Sequence, residues 1–480
     1  MSYEDALRYL YDRIDYERAR DRSTHHEFRL QRTIELFERL GLGDYLHRGP
    51  TPDRESRSPP VPLIHLAGTK GKGSTAAMAS SILASAGNRV GCYTSPHLTN
   101  LEERFRIDGV PCDAEELVEL VETVRPVVDR IDADSTVSFF ELTTAMAMLH
   151  FSRKQCDAIV LEVGLGGRLD STNVCASSVA AITSIGLDHQ RVLGQTRPEI
   201  AAEKSGIIKS PAPVVSGVED AASVAVINAA ADRAGAPFYQ VGAAYRIQML
   251  EALQQGSRFR FHAEDGSLCG DDSARDLDIR IGLEGAHQVR NAAVAIAATR
   301  LLRDSRPIDD TAIVEGLARV SCPGRVERFR LGEGRAVIVD TAHNEDSIEA
   351  LCETLRTGVA IGALNAPVVV LFASSRDKDV GCMAKPLSAL ADEVICTQFS
   401  DPPRYVAAAT VAEYFRAAGA SRLATEPRAR SALRIGRDRI ADGGTLVICG
   451  SFFLAGELRP EIEAVSMETS IEAIAVGRIR

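Results

Sequence analysis

The sequence predicts an α/β protein made of two domains. Short Val- and Ile-rich runs alternate with Ala-rich helical stretches, the pattern of a mostly parallel sheet covered by helices. That series breaks near Cys322-Pro323-Gly324, and a second α/β series begins beyond it. A chain of 480 residues is also too long for one ordinary core, so domains at 1–322 and 323–480 are expected.

Each element has a local signature. The N-terminal MSYEDALRYLYDRIDYERAR is patterned as an amphipathic helix and lacks the apolar centre of a signal peptide. The polar, Pro-rich stretch 47–60 reads as an exposed loop. A strand at 61–67, a helix at 75–86 and a strand at 90–94 open the first series. Further strands are expected at 158–163, 179–185 and 213–216. Residues 239–283 differ: they are strand-like around the Gly- and Asp-rich EDGSLCGDDSARD, which suggests a small antiparallel region with a loop. A helix at 287–302 follows. The second series comprises strands at 336–339, 368–372, 393–396 and 445–449.

Composition excludes several function classes. A net charge of −11 argues against a general nucleic-acid binder. No apolar run reaches the length of a membrane span. The ten cysteines are scattered without a C-x-x-C pair, so they read as buried thiols of a reducing compartment rather than disulfides or a zinc site. A cytoplasmic location follows as the expectation.

The strongest chemical signal is IHLAGTKGKGSTAAMASSIL. A strand ends at Ala67, a glycine-rich turn follows, and an Ala-rich helix opens near Gly73. Gly68, Gly71 and Gly73 let backbone N–H groups approach phosphate oxygens, and the helix N-terminus adds positive potential. Lys72 can neutralise phosphate charge, and Ser74 or Thr75 can face a magnesium ion. The spacing departs from G-x-x-x-x-G-K-[ST], because Gly73 stands between lysine and hydroxyl.

Three further strand ends carry polar groups. YTSPHL holds Ser95 and His97, LEVGLGGRLDSTN holds Glu162, and GLDH holds His189. In a parallel sheet those ends converge where such sheets bind ligands, and a carboxylate there suits magnesium. Arg168 and Asp170 are polar groups that the glycine cluster Gly164, Gly166 and Gly167 could expose. Lys204 in EKSGIIK reads, taken alone, as a solvated helix residue. Further on, Asn291 stands at a helix start where it could bond a purine, and Arg325 stands at the domain joint. Asp340, His343 and Asn344 follow the second domain's first strand, where an acid could bind ribose hydroxyls. SSRDKD, from Arg376 to Asp379, is another charged strand-end loop.

AGTKGKGST, YTSPHL, LEVGLGGRLDSTN, GLDH, EKSGIIK, GAHQVRN, PGRVE, DTAHN and SRDKD occur in one order. That ordered set resembles the folylpolyglutamate synthases and bifunctional dihydrofolate synthases of the Mur ligase superfamily. The resemblance implies a P-loop Mur-ligase-type domain with a parallel sheet and a small antiparallel region, followed by a smaller Rossmann-like α/β domain. It implies ATP and Mg2+ as cofactors, with a folate or dihydropteroate and L-glutamate as the other substrates. It implies an ATP site at Gly68, Thr69, Lys70, Gly71, Lys72, Gly73 and Ser74, joined by Asn291, Arg325, Asp340 and His343. Its magnesium ligands match Ser95, Glu162 and His189, and its carbamylated lysine, a second-metal ligand, matches Lys204. Lys72, His189 and Lys204 are thereby the catalytic candidates. Phe140, Glu141, Thr143, Arg168 and Asp170 fall where the family builds its pterin region. A monomer is expected, with neither nucleic acid nor membrane as partner.

The implied reaction is phosphorylation of a carboxylate by ATP, then attack by the amine of glutamate on the acyl phosphate. Two domains would bring the reactants together and exclude water. Two departures from the family pattern stand out: Thr341 replaces the usual small residue in D-G-A-H-N, and Cys322 replaces a frequent Trp. Residues 47–60 look like an insertion. A cell-wall Mur ligase would resemble this site but carries a nucleotide-sugar domain before the P-loop, whereas only 67 residues precede Gly68 here. A non-catalytic P-loop module would have no need of Glu162, His189 and Lys204 together.

Overall fold

A computed structural model describes residues 1–13, 30–47, 59–132, 136–269, 275–302, 308–332, 334–400 and 404–477. The expected loop and insertion at 47–60 lies almost wholly outside them, as does part of the Gly- and Asp-rich segment. The chain forms two compact units. The first contains Met1–Gln248, Phe259–Ile281 and Gln288–Val320; the second contains Met249–Arg258, Gly282–His287 and Ser321–Arg480.

The first unit is built on eight strands: β1 (Leu63–Ala67), β2 (Val90–Tyr93), β3 (Phe105–Ile107), β4 (Val110–Pro111), β5 (Ala158–Glu162), β6 (Val179–Ile182), β7 (Val214–Ser216) and β8 (Phe238–Gln240). Their order is β4-β3-β2-β5-β1-β6-β7-β8. Pairing is parallel from β2 through β8, and β3 and β4 add an antiparallel edge. Every residue of β1, β2, β5 and β6 is buried, which is why these strands read as continuous apolar runs without alternation. The register sets Leu66 beside Glu162 and Ala67 beside Ile182, so the ends of β5, β1 and β6 lie side by side.

Helices close the core of this unit. Ala6, Leu10, Leu36, Phe37, Leu120, Val124, Leu142 and Met146, from four helices, pack in one cluster with Leu63, Tyr93 and Leu161 of the sheet. Ala67, Ile182, Ile207, Val214 and Ile227 form a second cluster. The helix after β1 spans Lys72–Ser85, three residues earlier than the apolar pattern suggests, because Gly71 O already accepts the Thr75 N–H at 2.8 Å. The strand-like region yields a separate three-stranded sheet, ordered β11-β10-β9, from β9 (Tyr245–Ala252), β10 (Ser257–Ala263) and β11 (Asp276–Ile281).

The second unit holds a six-stranded sheet. Its strands are β12 (Glu327–Arg330), β13 (Arg335–Val339), β14 (Val368–Phe372), β15 (Glu393–Gln398), β16 (Leu423–Arg428) and β17 (Gly444–Cys449). The order is β12-β13-β17-β14-β15-β16, parallel except for the β12–β13 pair. β12 and β16 escape sequence reading because these edge strands, ERFR and LATEPR, are charged and incompletely buried. Val370, Phe372, Val394, Val447 and Leu355 lie in its core. Among the described residues, no helix is long and apolar enough to cross a membrane.

Candidate functional site

The glycine-rich turn leaves β1 and is held by the end of β6. Gly68 and Gly71 have φ of 155° and 84°, and a side chain at either would collide with a neighbour. A Cβ at Gly68 would lie 2.0 Å from Thr183 Oγ1, and one at Gly71 would lie 2.1 Å from Asn291 Oδ1. The Thr183 hydroxyl donates to Lys70 O at 2.6 Å. Ser184 Oγ accepts the Lys70 N–H at 2.9 Å, and Ser184 O accepts the Thr69 N–H at 2.8 Å. The Thr69 hydroxyl accepts the Gly186 N–H at 3.0 Å and donates to Gly186 O at 3.2 Å. The turn is thus fixed by backbone and short hydroxyl contacts, a geometry suited to presenting N–H groups to an anion.

Two lysines meet at this turn. Lys72 Nζ and Lys204 Nζ donate to the same oxygen, Gly68 O, at 3.1 and 3.0 Å. Lys204 lies in the helix Arg197–Ser205 and is 4% exposed, so it is no solvated helix residue. Burial, reinforced by the nearby Lys72 charge, pulls its ammonium down to about 7. Lys70 instead pairs with Asp188 at 2.9 Å. His189, next to Asp188, sits in the left-handed region at φ 50° and caps the short helix Gln190–Leu193.

Glu162 ends β5, is buried, and accepts the Ser95 N–H at 3.1 Å on Oε2. The same oxygen would lie 3.4 Å from a Cβ at Gly73, so Glu162, Ser95 and the helix start are neighbours. Ser74, the turn's last residue, is buried in the first turn of that helix. Asn291 is buried in the helix Ala286–Arg300, donates to Gln288 Oε1 at 3.0 Å and covers Gly71. Among the described residues, no three His, Cys, Asp or Glu side chains gather as a metal site. Glu162 and His189 supply only two such groups, so a hard cation would need the Ser95 hydroxyl and a further oxygen ligand. A carbamate on Lys204 would be such a ligand, and the donor chemistry then fits magnesium.

The expected pterin residues divide by exposure. Phe140 is partly buried and its ring covers Gly164; Arg168 is exposed and pairs with Glu203 at 2.9 Å. Glu141, Thr143 and Asp170 are buried, and their polar atoms are engaged inside the protein. Glu141 pairs with Arg32 at 3.0 Å and accepts the Ser138 N–H at 2.8 Å, closing the N-terminal cap of the helix Phe139–Arg153. Thr143 Oγ1 bonds the Tyr93 hydroxyl at 2.8 Å. Asp170 accepts Leu165 N–H at 2.9 Å, Thr172 N–H at 3.0 Å and the Thr172 hydroxyl at 2.5 Å. Burial raises the Asp170 carboxyl, against those hydrogen bonds. The carboxylate and hydroxyl oxygens of these three residues are thus engaged by the fold's own groups.

In the second unit, Arg325, Asp340 and His343 cluster around Thr341. Arg325 donates to the Thr341 hydroxyl and its guanidinium lies 5.1 Å from the Phe452 ring centroid. The His343 Nδ1–H donates to Thr341 O at 2.8 Å. Asp340 is buried, and its two oxygens accept the Val326 and Ala342 N–H groups, both at 2.7 Å. This is the geometry of a carboxylate that shapes a loop, and burial raises its pKa despite Arg325. Sequence reasoning missed Thr183, Ser184, Arg32, Asn173 and Lys209. The first two follow a buried strand directly, which is the available signal for loop-holding hydroxyls.

Comparison with known proteins agrees with this architecture. Residues 66–299 match the profile of the Mur ligase middle domain, and residues 324–452 match that of the Mur ligase glutamate ligase domain. The dihydrofolate synthase/folylpolyglutamate synthase of Bacillus subtilis is 37% identical over 378 residues, covering 78% of this chain and 81% of that one. The Mycobacterium tuberculosis folylpolyglutamate synthase complexed with ADP superposes with a TM-score of 0.81 at 28% identity, covering 96% of this chain and 98% of that one. The Escherichia coli FolC in complex with DHPP and ADP gives 0.76 at 28% identity, with 97% and 98% covered.

Proposed function

Because this chain belongs to the folylpolyglutamate and dihydrofolate synthase family of Mur ligases, and is an ATP-dependent, ADP-forming ligase that joins glutamate to folates, we propose how its own residues divide that work. The turn Gly68–Ser74 cradles the ATP phosphates, with Lys72 as the charge on the transferred phosphoryl group. The carrying observation is the fixed turn whose one carbonyl, Gly68 O, collects both Lys72 and Lys204. In the second unit, Arg325 and His343 contact the nucleotide, and Asp340 shapes the loop that presents them.

A substrate carboxylate attacks the γ-phosphorus, its P–O bond to the β-phosphate oxygen breaks, and ADP leaves. The glutamate amine then attacks the acyl carbon, loses a proton, and the tetrahedral adduct expels phosphate to form the amide. Ser95, Glu162, His189 and a carbamylated Lys204 would hold Mg2+, which supplies charge neutralisation at the phosphates. The lowered Lys204 pKa supports the carbamate, since only a neutral amine attacks carbon dioxide, forming an N–C bond and releasing a proton. Phe140 and Arg168 are the substrate-facing members of the pterin region, backed by Glu141, Thr143 and Asp170.

Dihydropteroate is the second acceptor proposed, supported by the bifunctional Bacillus subtilis relative. We further assign the ATP-binding domain to 1–322 and the glutamate ligase domain to 323–480, with a cytoplasmic monomer as the working form. ADP release with glutamate and either dihydropteroate or a reduced folate monoglutamate tests the substrates. Turnover with the folate alone would remove dihydropteroate. Lys204→Ala should be nearly inactive and partly rescued by short carboxylates; full turnover would remove the carbamate.

A further inference from the structure

Beneath the site lies a buried lysine that the reaction scheme does not use. Lys209 is 6% exposed, yet among the described residues its ammonium hydrogen-bonds only neutral oxygens: Asn173 Oδ1 at 2.6 Å and Ile207 O at 3.3 Å. A buried cation without a carboxylate partner is disfavoured, and replacing such a group by an apolar one is often neutral or stabilising. Its neighbourhood is no friendlier. His65 of β1 donates its Nε2–H to the Thr172 hydroxyl at 2.8 Å, and its buried Nδ1 has no hydrogen-bond partner among the described residues. Burial and the Lys209 charge keep that imidazole neutral.

What Lys209 does is orient one amide. With Oδ1 held by Lys209, the Asn173 Nδ2 donates to Arg168 O and to Gly206 O, both at 3.0 Å. Those carbonyls belong to two different segments: the loop that follows β5, and the turn that ends the Lys204 helix. The two segments also touch directly, through Arg168 N–H to Glu203 O at 2.8 Å and the Arg168–Glu203 pair. A Cβ at Gly206 would lie 2.4 Å from Arg168 Cα, so the contact is backbone on backbone. Lys204 stands between Glu203 and Gly206, inside the clamped stretch.

We propose that Lys209, acting through Asn173, is a positioning residue that clamps the turn carrying Lys204 to the loop after β5, so that the group on Lys204 reaches the metal site in one fixed place. The clamp rests on the reading of Lys204 as a metal ligand. It accounts for a buried ammonium kept where an apolar side chain would fold as well, the trade of stability for function expected at working sites. Groups that orient a metal ligand typically govern affinity by about 10–100-fold.

The test uses the full-length protein in bicarbonate, with Mn2+ as a probe whose binding is followed by electron paramagnetic resonance, beside the melting temperature. Lys209→Met should melt at or above the wild-type temperature and bind Mn2+ about tenfold or more weakly. Asn173→Asp keeps an acceptor for Lys209 but loses both donors, and should weaken Mn2+ similarly; it decides the matter if the Met variant does not fold. In a Lys204→Ala background the Lys209 change should weaken Mn2+ no further. Folded variants that bind Mn2+ as wild type, while Lys204→Ala does not, would overturn the clamp alone. If Lys204→Ala itself binds Mn2+ normally, the metal-ligand reading fails and the clamp falls with it.

Discussion

Gly71→Ala tests the phosphate loop most directly. The residue sits at φ 84°, and a Cβ there would lie 2.1 Å from Asn291 Oδ1 and 2.9 Å from its Cγ. A non-glycine residue in the left-handed region costs about 1–2 kcal/mol. Asn291 must also swing aside, giving up its hydrogen bond to Gln288, worth roughly 1 kcal/mol. The sum is about 2–3 kcal/mol, and it falls on the loop conformation rather than on the core, since the turn is bounded by Thr183, Ser184 and the half-buried Lys70 that pairs with Asp188. A binding-competent loop populated that much less often weakens nucleotide affinity by roughly 30–150-fold. Calorimetric titration with ADP should show this, with a melting temperature close to wild type. Adding Asn291→Ala relieves the collision but not the backbone strain, so the double variant should lose less than the two single losses combined. A folded Gly71→Ala protein with wild-type ADP affinity would refute the assignment of this turn to phosphate.

Three other perturbations separate chemistry from support. Glu162→Gln should raise the magnesium concentration for half-maximal velocity by about tenfold or more, since the amide keeps the Ser95 contact region but loses the charge; an unchanged titration marks Glu162 as structural. Arg32→Met strands the buried Glu141 carboxylate and should destabilise the first unit by about 3–5 kcal/mol, with much of that recovered on adding Glu141→Gln; chemical unfolding reads both. Asp170→Ala leaves the Leu165 and Thr172 N–H groups unpaired and should lower stability by about 2–4 kcal/mol, with little change in the KM for dihydropteroate. A raised KM at unaltered stability would return Asp170 to the substrate.

The sequence by itself determined the α/β class, the strands of the two larger sheets that are buried throughout, and the glycine-rich turn after β1. Those features are local: a strand buried on both faces must be apolar along its length, and φ values such as the 155° of Gly68 and the 84° of Gly71 favour glycine whatever lies nearby. The edge strands β12 and β16 stayed hidden because partial exposure lets charged residues serve as strand. Only the tertiary structure decided what the polar residues do. Lys204 looks solvated in a helical register, and Glu141 and Asp170 are expected in the pterin region that the resemblance implies. Packing buries all three, lowering the lysine to about 7 and engaging the acids with Arg32, Ser138, Leu165 and Thr172. These partners lie up to 136 residues away in the chain, as with Lys204 and Gly68. A side chain's charge state and its role are set by neighbours that the order of residues does not bring together, and burial makes those neighbours decisive.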